Sequence, residues 1–190
     1  MSTNGAYGFR INGQDKVTYN HGDSYPSGLG TNVIQFIKRN TIEHLKLIAL
    51  GLRMVDEDSW PSTDELEKFQ AFRNENVTSR GWYQLLRYAQ GDFEALENGL
   101  DVMIDRADFL SDSLFCEWAY IINLDDAALE IYKGFNKDRS APGRYAITGH
   151  DDDSGYAGVA LVKTIPLSEI QEAHLDIFVT KLVAEFNELS

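Results

Sequence analysis

The dipeptide Asn12-Gly13 constrains this chain more than any other feature. It sits between two strand-like runs, Ala6-Tyr7-Gly8-Phe9-Arg10-Ile11 and Lys16-Val17-Thr18-Tyr19. Asn and Gly both tolerate positive φ, which tight two-residue hairpins require, so an antiparallel hairpin is expected at the start. A second hairpin is expected from Phe115 to Asn123 and back through Leu129-Glu130-Ile131-Tyr132, turning at Leu124-Asp125-Asp126-Ala127. Tyr156 to Ile165 reads as a later strand ended by Pro166, and Tyr145-Ala146-Ile147 as a short strand inside the loop 134–155.

Between these signals the period is helical. Ile34, Ile37, Leu45, Ile48, Leu52 and Val55 recur at helical spacing, predicting one long helix from about Thr31. Trp60-Pro61 breaks it, and Ser62-Thr63-Asp64-Glu65 has the form of a capping box for a second helix running to about Asn74. Residues 79–90 read as a third helix stopped at Gly91, and Asp92 as the cap of a fourth running to about Asp112. Ser168 with Gln171 is expected to cap a last helix that buries Leu175, Phe178, Leu182, Phe186 and Leu189. The expected fold is therefore α+β, an antiparallel sheet of about five strands covered by four or five helices, in a single domain over 1–190.

Composition bounds the function. Apolar residues make up 43% and charged residues 25%, enough to bury a core. No apolar run reaches the ~20 residues that span a bilayer, and no apolar leader follows Met1, so a cytoplasmic protein without a membrane partner is expected. The single cysteine, Cys116, excludes an intrachain disulfide and a Cys-based zinc site; it reads as a buried, inert thiol. A net charge of −13 argues against direct binding of a nucleic-acid backbone. That charge is uneven: residues 1–53 hold six Lys/Arg against three Asp/Glu, so nearly all the acid lies later.

The densest set of chemically useful side chains is Tyr19, His21, Asp23 and Tyr25, spaced by single residues. On a continuous strand all four would share a face, and Gly22 and Pro26 bend them into a turn that keeps them close. His21 can exchange a proton near neutral pH, Asp23 can orient it or accept from a ligand, and the tyrosines can stack. Arg10, on the partner strand, is expected to reach an anion. The plain alternative is a structural turn whose Asp and Ser bond their own backbone.

Thr3, Phe9, Tyr19, His21, Asp23, Tyr25, Pro26, Gly28 and Gly30 together resemble the N-terminus of a family of short, largely uncharacterised phage and bacterial proteins. That family reads Thr-Arg, a strand, a turn, then Tyr-x-His-x-Asp-Gly-Tyr-Pro and a glycine. Asn4 replaces its arginine and Ser24 one glycine. A weaker likeness covers 118–125, 129–132 and 161–167. The resemblance implies a phage or mobile-element accessory protein in a bacterial host cell, with no known reaction, for which interference with host defence is the natural role.

Two other readings compete. Removal of Met1 would expose Ser2, whose hydroxyl and free amine suit an N-terminal-nucleophile hydrolase. Separately, Glu94, Glu97, Asp101, Asp105, Asp108 and Asp112 recur every three or four residues, forming one carboxylate stripe on the fourth helix. Such a stripe is a solvated face, or else a docking strip that mimics a nucleic-acid backbone towards a host protein with a basic surface. It disperses oxygens too far to form a metal site. No cofactor motif is present. The leading expectation is a protein that binds a small polar or nucleotide-like ligand, or a host protein, rather than an enzyme.

Overall fold

The N-terminal hairpin forms as its turn dipeptide dictates. In the computed structural model, which describes residues 3–72, 81–89, 91–148 and 154–187, β1 (Gly5–Ile11) pairs antiparallel with β2 (Gln14–Asn20). Asn12 and Gly13 take φ of 52° and 73°, both left-handed, as a two-residue turn needs. The chain continues through α1 (Thr31–Arg39), α2 (Ile42–Gly51), β3 (Arg53–Val55), α3 (Thr63–Lys68), α4 (Trp82–Leu86) and α5 (Phe93–Glu97). Then follow β4 (Val102–Ile104), β5 (Trp118–Asn123), β6 (Ala128–Lys133), β7 (Ala160–Pro166), α6 (Leu167–Glu172) and α7 (Leu175–Asn187).

The fold is α+β, as expected, but its main sheet is mixed rather than wholly antiparallel. The order is β2-β1-β5-β6-β7, and the central β1–β5 pairing is parallel, with Gly5 opposite Trp118 and Arg10 opposite Asn123. A second, two-stranded sheet joins β3 to β4, also parallel. Hairpin signals reveal neighbours joined by short turns, and these two pairings are joined by none.

Side chains alternate across each strand. Tyr7, Phe9, Trp118, Tyr120, Ile122, Leu129 and Ile131 enter the larger core, which α1 fills with Val33, Ile34, Phe36 and Ile37 and α7 with Leu182 and Phe186. Burying each such side chain contributes about 1.5–3 kcal/mol. Tyr7 and Phe36 both pack on Phe93 at ring separations of 4.9 Å, which ties α1 and α5 to the sheet. Ala6, Val17, Ala119, Ile121 and Tyr132 face the other way into a smaller core. Among the described residues that core is covered by the 3-10 turn Ala107–Ser111 and by loop residues Tyr145 and Val159 rather than by an α-helix.

Several expected helices are shorter than their periodicity suggests, each for a local reason. The helix from Thr31 breaks in two because the Asn40 amide donates back to the Phe36 carbonyl at 2.8 Å while the Thr41 hydroxyl caps α2. Val55 therefore lies on a strand. The Ser62–Glu65 capping box is present, and α3 ends at Lys68. The helix expected to run to Asp112 ends at Glu97: Leu100 N–H bonds to Ala95 O, Gly99 N–H bonds to Leu96 O, and Gly99 sits at φ 96°. Only glycine takes that left-handed closure readily. Ala146–Thr148 is a single 3-10 turn, not a strand. Ser168 caps nothing, because α6 already begins at Leu167, and a break at Ala173 separates α6 from α7. Leu182 and Phe186 are buried, Leu175 and Phe178 partly so, and Leu189 lies outside the described residues. Among the described residues no helix is long and apolar enough to cross a membrane.

Candidate functional site

The turn after β2 is stitched to the sheet before it presents anything to solvent. Asn20 donates to Gly22 O at 2.6 Å and to Ser24 Oγ at 2.8 Å, and Ser24 N–H bonds to Thr3 O. The Tyr120 hydroxyl, rising from the middle of the sheet, donates to Ser24 O at 3.0 Å. Asp23 takes a left-handed φ of 55°, and its carbonyl accepts from Leu29 N–H at 2.8 Å. The chain then makes one wide helical turn over Pro26–Gly30 that runs directly into α1.

This frame separates the residues that the spacing pattern grouped together. Tyr19 and His21 stay together, their rings edge-to-face at 4.5 Å. Tyr83 of α4 closes the other side, its hydroxyl 3.4 Å from His21 Nε2. Burial, then the positive charges of Arg87 and Arg106, holds the His21 imidazole below its ordinary 6.5. A half-buried, neutral imidazole wedged between two tyrosines fits a packing role. Asp23 is exposed. Tyr25 turns towards a groove that neither Tyr19, His21 nor Asp23 lines. Arg10 is remote: it lies five residues along β1 from Gly5, about 17 Å of strand. It bonds to its cross-strand partner Asp15 at 2.9 Å, so the structure does not bring it to the turn. Ser2 lies outside the described residues.

The groove has a volume of about 320 Å³, at the lower end for small-molecule sites. Tyr25, Pro26 and Ser27 form one wall; Phe135 and Lys133, at the end of β6, form another. Trp118 and Phe186 make the floor, both nearly buried and edge-to-face at 5.2 Å. Glu117 and Val183 complete the rim. The Lys133 ammonium sits 5.6 Å from the centre of the Trp118 ring, a cation held over an aromatic face. Tyr25 and Phe135 remain 40% and 53% exposed.

Phe135 is the unusual residue here. Its φ is 55°, a left-handed conformation that costs a bulky residue about 1–3 kcal/mol. Packing enforces it. A Cβ on Gly134 would lie 2.2 Å from Cys116 O, so the backbone runs hard against the segment before β5, and Phe135 N–H bonds to Ser113 O at 2.6 Å. The chain thus holds a strained phenylalanine beside the groove, about half exposed and packed edge-to-face on Tyr156. Trp118, Lys133, Phe135 and Phe186 were not singled out from sequence, since each belongs to a strand, helix or loop pattern. One signal was present: residues 133–144 contain four Lys/Arg and one acid within a strongly acidic chain.

The carboxylate stripe does not exist, because its helix ends at Glu97. Glu97 binds Arg39 at 3.1 Å and Asn40 at 2.7 Å; Asp101 binds Lys68 at 2.6 Å. Glu94 follows the Asp92 cap, and the carbonyl of Asp112 accepts from Phe115 and Cys116 N–H groups. Asp105 and Asp108 instead meet Asp56, Glu57 and Asp58 in an open hollow around Arg106, which pairs with Glu57 at 3.2 Å and Asp108 at 3.5 Å. Among the described residues no group of three or more His, Cys, Asp or Glu is placed to hold a metal. Cys116 is buried, and burial raises its thiol far above the ordinary range, as expected of an inert cysteine.

Comparison of the chain with known protein families, curated proteins and solved structures gives no significant match to any of them.

Proposed function

We propose that this chain is a binding protein that holds a small polar ligand in the groove beneath the Tyr25-Pro26-Ser27 turn. In the setting implied by its N-terminal pattern, it would be a phage or mobile-element accessory protein that withholds that ligand from a host defence. One observation carries this reading. The turn that bears the pattern lines a groove together with a strained, half-exposed phenylalanine. The groove offers aromatic surface together with an ammonium, a carboxylate and a hydroxyl, which suits a ligand with a flat ring and polar substituents. The rival readings have less support. The docking strip for a basic host protein loses its helix, and the Ser2 hydrolase depends on a residue outside those described.

The test is a ligand panel of nucleotides, amino acids and sugar phosphates read by intrinsic tryptophan fluorescence, since Trp118 floors the groove. At least one compound class should give a saturable change, and Phe135→Ala should remove it while the circular dichroism spectrum stays unchanged. If no compound responds, or if Phe135→Ala responds like the parent protein, the groove is not a ligand site.

A further inference from the structure

The dipeptide Asn-Gly occurs three times, at Asn4-Gly5, Asn12-Gly13 and Asn98-Gly99. It is the pair in which an asparagine most readily modifies itself, because glycine has no side chain to shield its nitrogen. The glycine nitrogen attacks the carbonyl carbon of the asparagine side chain. A C–N bond forms, the proton of that nitrogen passes to the departing amide, and ammonia leaves. Water then opens the cyclic imide at either carbonyl, giving aspartate or isoaspartate. In a folded chain the rate depends on two freedoms. The asparagine side chain must swing on to the next nitrogen, and that nitrogen must be able to give up its proton.

The fold treats the three pairs differently. Gly5 is paired to β2 on one side and to β5 on the other, and a Cβ on it would lie 2.4 Å from Trp118 O. The Asn4 carbonyl accepts from Glu117 N–H at 3.1 Å. Asn12 and Gly13 are exposed, but both their N–H groups are held by one carboxylate: Asn12 donates to Asp125 Oδ1 at 2.7 Å and Gly13 to Oδ2 at 2.9 Å. That carboxylate opposes the attack twice. The Gly13 bond must break first, and a nitrogen losing its proton would develop negative charge beside a fixed one. The two backbone bonds, foremost that from Gly13, hold the Asp125 carboxyl below its ordinary range, so it is too weak a base to take the proton itself. Asn98 and Gly99 have no such guard. Both are exposed, and apart from chain neighbours nothing lies within 4 Å of where a Gly99 Cβ would stand. Gly99 N–H makes a 3.3 Å bond to the neutral Leu96 carbonyl. Among the described residues the Asn98 side chain has no hydrogen-bond partner.

We propose that Asn98 is a modification site, converted to aspartate or isoaspartate in the folded protein, and that Asp125 keeps the chemically identical pair Asn12-Gly13 closed. Conversion has a local consequence. Asn98 is the C-cap of α5, whose Phe93, Ala95 and Leu96 are buried. A carboxylate there meets the carbonyls that end the helix, and isoaspartate also lengthens the backbone where Gly99 closes the turn. The neighbouring Glu97, which binds Arg39 and Asn40, loses its fixed support.

Incubation of the full chain in mildly alkaline buffer, followed by mass spectrometry of tryptic peptides, tests this. Cleavage after Arg10, Lys16, Arg87 and Arg106 puts each pair on its own peptide. Asn98 should convert on the order of tenfold or more faster than Asn12, the worth of a hydrogen bond to a charged acceptor. Asn4, inside the sheet, should also lag behind Asn98. In urea, where the three dipeptides are alike, the rates should converge. Asp125→Ala should speed Asn12 by about that same factor and leave Asn98 unchanged. If Asn12 converts as fast as Asn98 in the parent chain, the inference is overturned. An Asn12 rate indifferent to Asp125→Ala overturns it as well. Should that variant unfold, Asn4 would speed up together with Asn12. The ranking of Asn98 against Asn12 in the folded parent chain, which needs no substitution, then decides by itself.

Discussion

The two ends of the five-stranded sheet are built on different principles. At the hairpin end, charges are matched. Arg10 binds Asp15; Glu130 accepts from Asn123 and Tyr132 and pairs with Arg144; Asp125 accepts from the Asn12 and Gly13 N–H groups at 2.7 and 2.9 Å. Those backbone bonds, foremost that from Gly13, hold the Asp125 carboxyl below its ordinary range. The two hairpin turns are thereby sewn to each other. At the other end, Tyr25 and Phe135 leave ring surface in solvent, Phe135 keeps a strained backbone, and a groove stands open between them. Internal matching of polar groups produces rigidity at one end, while backbone strain and exposed apolar area at the other are the grounds on which the groove is proposed as a binding site.

If that contrast holds, substitutions at the two ends should separate stability from binding. The largest effect is expected at Glu130. It is nearly buried, and Glu130→Ala would leave Arg144 with only its longer 3.6 Å contact to Asp15 and the Tyr132 hydroxyl without its acceptor, costing about 3 kcal/mol in urea unfolding. Groove binding measured on the fraction still folded should not change. Next comes Phe135→Gly, which removes the left-handed strain and should stabilise by about 1 kcal/mol while abolishing ligand binding. If that variant is destabilised, the ring supports the fold and the contrast collapses. The smallest effect concerns His21, which sits near the open end but packs like a core residue. Its folded imidazole is held below the unfolded value of about 6.5, so between the two values the unfolded chain binds more protons. Stability should therefore fall as pH drops through about 6.5 and level off once the folded imidazole is also protonated. Denaturant unfolding across that range should show a shallower dependence for His21→Gln than for the parent chain. An unchanged slope would mean that His21 is not the half-buried, neutral group described above.

Legibility followed the range of the interaction. Asn12-Gly13, Asp125-Asp126 and the Ser62–Glu65 box act over a few residues, and each formed its expected turn or cap. The parallel pairing of β1 with β5 was invisible, because no turn residue announces a neighbour more than a hundred positions away. The acidic helix shows the reverse error: a periodic pattern was followed through Gly99, although glycine just past a run of helix formers is itself a stop signal. At the candidate site the sequence grouped side chains that the fold separates. Tyr25 and Pro26 do line a groove, but alternation along a strand cannot show that His21 turns towards Tyr83. Nor can it show that residues from the end of β6 line the same groove. The run Lys133-Gly134-Phe135-Asn136-Lys137 was the available clue, cations flanking an aromatic in an otherwise acidic chain.

The sewing of the two hairpins has a consequence for how the molecule is made. Asn12 and Asp125 are 113 residues apart in the chain, and the inner edge of β1 has no partner until β5 arrives. During synthesis the first hairpin leaves the ribosome with that edge bare, and β1, being almost wholly buried in the finished fold, offers it as an apolar template. Long-range parallel pairing also closes slowly, since loop entropy must be overcome before contacts form. The span between hairpin and β5 is therefore the window in which this protein is most exposed to misassociation. Everything encoded between Asn20 and Trp118 is synthesised inside that window.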